Sequence, residues 1–188
     1  MRLKMRWALA PLCVMALAAC GEGGAGKADG TGAAAPSNRT LTATLKDDRA
    51  FGTLERVLEN AALGDVLAGT GPYTVFAPSD AAFAASAGDL GDEAMKAQGA
   101  AVLRAHIVPG ALTRADILAA IAREGSGDVQ MRTMANSLLT FSQEGETVIV
   151  AGDNGARARL TGSETVASNG VVQPVDALLV RPAAAAAN

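Results

Sequence analysis

The chain is short of the side chains that carry most protein chemistry. Of 188 residues, two are cysteine, one is histidine and one is tyrosine, and aromatics make up 3%. Both cysteines, Cys13 and Cys20, fall within the first twenty residues. Beyond them nothing can form a disulfide, offer a thiolate to a metal or attack as a thiol. His106 is the only imidazole, so any Ser–His–Asp arrangement must use it, and one histidine among scattered carboxylates offers no metal-ligand spacing. Scarce aromatics leave little with which to cage an apolar ligand. Basic residues are outnumbered, 16 against 19 acidic, which disfavours nucleic acid and anionic membrane surfaces as partners. The one long apolar run, "WALAPLCVMALAA", is shorter than the roughly 20 residues needed to cross a bilayer.

That run, preceded by Arg2, Lys4 and Arg6, reads as a secretory signal peptide over 1–19. It ends in "LAAC", Leu17 to Cys20, which resembles the lipobox of bacterial lipoproteins. The resemblance implies cleavage before Cys20 and acylation of that residue, and two or more acyl chains give stable anchoring where one does not. Gly21, in place of aspartate, favours passage to the outer membrane or cell surface. Loss of the three leader cations leaves 13 basic against 19 acidic residues, a net charge of −6. Residues 20–38, small and glycine-rich, predict a flexible tether, and 183–188 a frayed tail. Residues 39–182 remain as one domain, long enough to rest on a hydrophobic core without disulfides.

Within it, Leu54, Val57, Leu58 and Ala61 recur at helical spacing, with Thr53 placed to cap and Gly64 to end the helix. "YTVFAP" predicts a brief strand, and Asp92 to Ala105 a second helix despite Gly99. In "LTRADILAAIAREG", Thr113 and Asp116 have capping-box spacing, Leu112 and Ile117 that of a hydrophobic staple, and Gly125 stands where a left-handed stop is wanted. The period then changes to two: "QMRTMA", "LLTFS", "TVIVAG", "ARL" and "GVVQPVDALLV" are strand-like and separated by glycine turns. Helices followed by strands predict an α+β fold with a largely antiparallel sheet.

Between the first strand and an alanine-rich stretch lies the triplet Pro78, Ser79, Asp80. Pro78 ends the strand, and either following side chain can cap a helix. With no G-x-S-x-G elbow around Ser79, the triplet reads as a junction and not as a nucleophile.

"TVFAPSDAAF" resembles the first signature box of the fasciclin-type domain at Thr74, Phe76, Ala77, Pro78, Ser79, Asp80, Ala82 and Phe83. "LRAHIVPGALTRADI" is similar to the family's central stretch and "MRTMANSLLTF" to its paired strands. "ASNGVVQPVDALLVRP" is similar to its closing box, with Asn169, Gly170, Val175 and Asp176 in register. The resemblance implies a single-domain wedge of about seven strands packed with helices, its two outer boxes side by side in the core. It further implies that Phe76 and Phe83 are core residues, that Asp80 and Asp176 are hydrogen-bonding struts, and that Asn169-Gly170 is a turn.

Four positions depart from the family. Ala105 replaces the tyrosine of a Tyr-His pair, leaving His106 alone, with a partly buried, backbone-bonded side chain expected. Glu164 and Thr165 stand where some animal members carry an integrin-binding Asp-Ile pair, so integrin binding is not implied. Pro174 cannot donate in a ladder and is expected at an edge or bulge. The expected function is a non-enzymatic lipoprotein acting as an adhesion or binding module. Its expected partner is an envelope or extracellular protein or polysaccharide, and it needs neither cofactor nor metal. Carriage of an apolar small molecule, and hydrolysis through His106, are the alternatives.

Overall fold

A computed structural model describes residues 36–85, 90–125 and 129–181. The expected leader, the lipid-attachment residue Cys20, most of the expected tether and the expected tail lie outside the described residues. The chain is engaged from Ser37, whose N–H donates to Val166 O at 2.8 Å. Six helices, α1 (Leu41–Asp47), α2 (Gly52–Asn60), α3 (Gly64–Ala68), α4 (Asp80–Ala84), α5 (Lys96–Ala105) and α6 (Arg114–Glu124), accompany eight strands among the described residues. One sheet has the order β2-β1-β8-β7, from Ile107–Pro109, Tyr73–Pro78, Gly170–Val175 and Thr165–Ala167. The other has the order β3-β4-β5-β6, from Val129–Arg132, Leu138–Glu144, Thr147–Gly152 and Arg157–Arg159. The fold is therefore α+β, with eight strands where about seven were expected.

The second sheet is wholly antiparallel, each strand pairing with its sequence neighbour. The first is not: β1 and β8 run parallel from Tyr73↔Gly170 to Pro78↔Val175, so the two outer boxes do lie side by side. This sheet is covered on both faces. Val75, Ala77 and Val172 meet α1, α2, α3 and α5 in one apolar cluster. Phe76, Val108 and Val175 meet α6 and the second sheet in another, where the Phe76 and Phe141 rings lie 5.4 Å apart. Burial of both faces explains why "YTVFAP" reads as a continuous apolar run without alternation.

Local rules hold where they act over a few residues. Thr113 Oγ1 accepts from Asp116 N–H at 3.1 Å, Asp116 Oδ2 accepts from Thr113 N–H at 3.0 Å, and Gly125 ends α6 at φ 64°. The Thr113 hydroxyl and then its N–H, both donating to Asp116, hold that carboxyl below its ordinary pKa.

They fail where a distant residue intervenes. Thr53 does not cap α2. A tight turn at Arg49–Phe51, itself capped by Asp48, runs straight into Gly52, and the capping slot falls on Phe51, which has no acceptor. Asp80 supplies it instead, its Oδ1 accepting from Thr53 N–H at 2.7 Å. Gly64 does not end α2 either: the turn is made by Ala62 at φ 54°, and Gly64 opens α3. The second predicted helix starts later than Asp92, as a 3₁₀ turn at Glu93–Met95 followed by α5. Gly99 is required there, since a Cβ would stand 2.8 Å from both Leu90 O and Val57 Cγ1 where α5 packs on α2. Pro174 lies in an interior strand, but its carbonyl turns away from β1 to accept from Thr161 N–H at 2.9 Å. On that flank β7 has already ended, its last partner being Val172, so the missing N–H costs no ladder bond.

Candidate functional site

The signature positions gather around the parallel pair. Thr74, Phe76 and Pro78 lie on β1, Gly170 on β8, and Ser79 and Asp80 at the start of α4. His106 follows α5, and Asn169 and Asp176 flank β8. Nearly every polar atom among them is taken up by backbone. Ser79 Oγ accepts from Ala82 N–H at 3.3 Å, capping α4. Thr74 is fully buried; its hydroxyl donates to Gly110 O at 2.7 Å and accepts from Leu112 N–H at 2.8 Å. Asp176 Oδ1 accepts from Arg159 N–H at 2.7 Å, closing the exposed flank of β6.

Asn169 is the centre of a larger construction. Its Oδ1 accepts from Leu41 N–H at 2.9 Å, at the start of α1, while its Nδ2 donates to Leu67 O at 2.8 Å and Gly69 O at 2.7 Å, at the end of α3. One amide thus satisfies the orphan groups of two helices. Gly170 follows because the chain passes too close to β1 for a side chain: a Cβ would collide with Tyr73 O and stand 2.8 Å from Leu41 Cδ1.

His106 is 0% exposed. Its Nδ1 lies 2.8 Å from Val102 O and its Nε2 accepts from Leu179 N–H at 2.9 Å, which makes the neutral Nδ1–H tautomer the one that satisfies both atoms. Burial drives its pKa down to about 4, against a smaller upward effect of the Val102 bond. A base needs a free lone pair within reach of its proton donor, and this lone pair is occupied. Ser79 likewise has its hydroxyl engaged in a cap. Among the described residues no group of His, Cys, Asp and Glu is placed to hold a metal ion.

Sequence reading did not single out Gln173, nor the bond it makes to Glu164. Gln173, fully buried, donates from Nε2 to Leu112 O at 3.1 Å and to Glu164 Oε2 at 2.5 Å. Glu164 Oε2 also accepts from Arg114 N–H at 2.6 Å, at the first turn of α6. The carboxylate at the position of the animal integrin motif is therefore spent inside the molecule.

Two surface depressions stand out among the described residues. One, of about 410 Å³, contains Glu144, Arg157, Arg159 and Asp176, whose charges cancel in pairs at 2.7 and 3.9 Å. The other, of about 470 Å³, is a groove between α1, α2 and α3. Lys46 stands on its rim 2.9 Å from Glu59 and 3.6 Å from Glu55, and the Glu59 hydrogen bond, then its charge, raises the lysine pKa.

The comparisons with known proteins agree with this architecture. The family model "Fasciclin domain" matches residues 49–181. Protein sll1483 of Synechocystis is 30% identical over 154 residues, 80% of this chain and 78% of that one. Human Stabilin-1 is 30% identical over 157 residues, 77% of this chain but 5% of its own length. Among solved structures, a FAS1 domain pair from the insect cell adhesion molecule Fasciclin I superposes with a TM-score of 0.53 at 24% identity, over 71% of this chain and 46% of that one. With the parallel pair, the signature residues and the family match all in agreement, the chain belongs to the fasciclin domain family.

Proposed function

We propose that the protein is an exported, lipid-anchored binding module of the bacterial cell envelope, holding a protein or polysaccharide partner without chemical turnover. The observation that carries this reading is that the signature polar groups are bonded internally, so function falls to the outer surface. The "LAAC" motif supports acylation at Cys20, and among the described residues no helix is long and apolar enough to cross a membrane. Tethered copies would multiply weak individual contacts through effective concentration. Phe51, Phe76, Phe83 and Phe141 are buried in the core, which removes them from any ligand cage and weighs against an apolar-carrier role. The occupied lone pair of His106 weighs against hydrolysis.

The test has two arms. Cells fed labelled palmitate should incorporate it in the wild type and not in Cys20→Ala, and deletion of the protein should reduce attachment of cells to surfaces or to one another. Unlabelled protein recovered free of membranes, or undiminished attachment, would remove the corresponding half of the reading.

A further inference from the structure

The groove between α1, α2 and α3 is lined on its apolar side by buried Leu45 and Leu58 and exposed Ala62 and Ala68, and its volume lies within the ~300–1,000 Å³ of ligand sites. Gly64 lines it with nothing within 4 Å of where a Cβ would stand, so the cavity continues up to the backbone. Its rim carries Glu55, Glu59 and Asp65 against Lys46 alone, an excess of carboxylates that the second depression lacks. The apolar side chains of Leu45, Leu58, Ala62 and Ala68 and the surplus of carboxylates thus line one and the same groove.

We propose that this groove docks a basic, amphipathic segment of a partner protein, an aliphatic side chain entering beside Gly64 and a lysine or arginine lying along the carboxylate rim. The inference rests on the binding-module reading and narrows it to one face and one partner chemistry. Anionic phospholipid meets repulsion at the rim, and no lining residue is aromatic to stack on a sugar ring. A second copy docked through the same groove would set two acidic rims face to face.

The experiment is an NMR titration of the isotope-labelled mature protein with a short peptide of leucine and lysine, its lysines along one helical face. A second peptide carries glutamate for lysine. The lysine peptide should shift Leu58, Ala62, Gly64 and Ala68, and binding should weaken about tenfold in Gly64→Leu, which fills the groove with an uncharged side chain. Glu55→Gln with Asp65→Asn should weaken it about threefold and flatten its salt dependence. Thermal melting of each variant establishes that it is folded. Shifts elsewhere, equal binding by folded Gly64→Leu, equal binding of the glutamate peptide, or self-association through the groove would overturn the proposal. Attachment of cells expressing Gly64→Leu separates the two readings. Wild-type attachment without peptide binding defeats the groove alone, and peptide binding with attachment indifferent to deletion of the protein defeats adhesion alone.

Discussion

The two sheets solve the same problem by different means. The β3-β4-β5-β6 sheet joins sequence neighbours, and its inward residues Leu139, Phe141, Val148 and Val150 are apolar. The β2-β1-β8-β7 sheet brings together segments about a hundred residues apart. It contains or adjoins four of the five polar residues buried among the described ones: Thr74, His106, Asn169 and Gln173. Thr133, between β3 and β4, is the fifth. A hairpin is held in register by its own turn, whereas a parallel pair has no turn to hold it, and buried polar side chains then fix what meets what.

The sharpest way to break this contrast is Asn169→Ala. It leaves Leu41 N–H, Leu67 O and Gly69 O without their side-chain partner, and should cost about 4 kcal/mol in urea unfolding. A loss below about 1 kcal/mol would show that the amide is incidental.

Next in size is acid. Folded His106 has a pKa of about 4 against an ordinary 6.5, so between these values the unfolded chain binds a proton that the folded chain refuses. Its contribution is fully present above pH 6.5 and is lost as pH falls to about 4, at about 1.4 kcal/mol per pH unit. The total is roughly 3 kcal/mol, and His106→Gln should flatten this slope in urea midpoints measured across the window.

The second sheet should respond to volume instead. Phe141→Leu, at the Phe76 contact, should cost about 1–2 kcal/mol with no new pH dependence. Smallest is Arg157→Ala, which removes a pair with Glu144 between side chains 60% and 61% exposed and should change the melting midpoint by less than about 2 °C.

The same contrast explains what could be read from the residues. "LLTFS" and "TVIVAG" announce β4 and β5 because alternation and a glycine turn are local facts, as is the capping box at Thr113. That the ends of the domain lie side by side came from likeness to a family, and that they run parallel came only from the structure, since nothing in the period of "YTVFAP" or "GVVQPV" names its neighbour or its direction. Thr53 was a reasonable cap until Asp80, 27 residues away, took the position. The groove was least legible of all. α1 presents only Leu41 and Leu45 to the core, too few for a periodic signal, and Glu55, Glu59 and Asp65 read singly as solvated charges until three helices gather them at one rim.

Central to the account is that the signature side chains are spent on architecture, and His106 tests it most directly because its ring signals are unique in the chain. Nitrogen-detected NMR of the imidazole at pH 7 should find a neutral ring protonated at Nδ1, with no titration until the pH approaches about 4. A ring protonated at Nε2, or one titrating near its ordinary 6.5, would mean that the lone pair is free and would contradict the account.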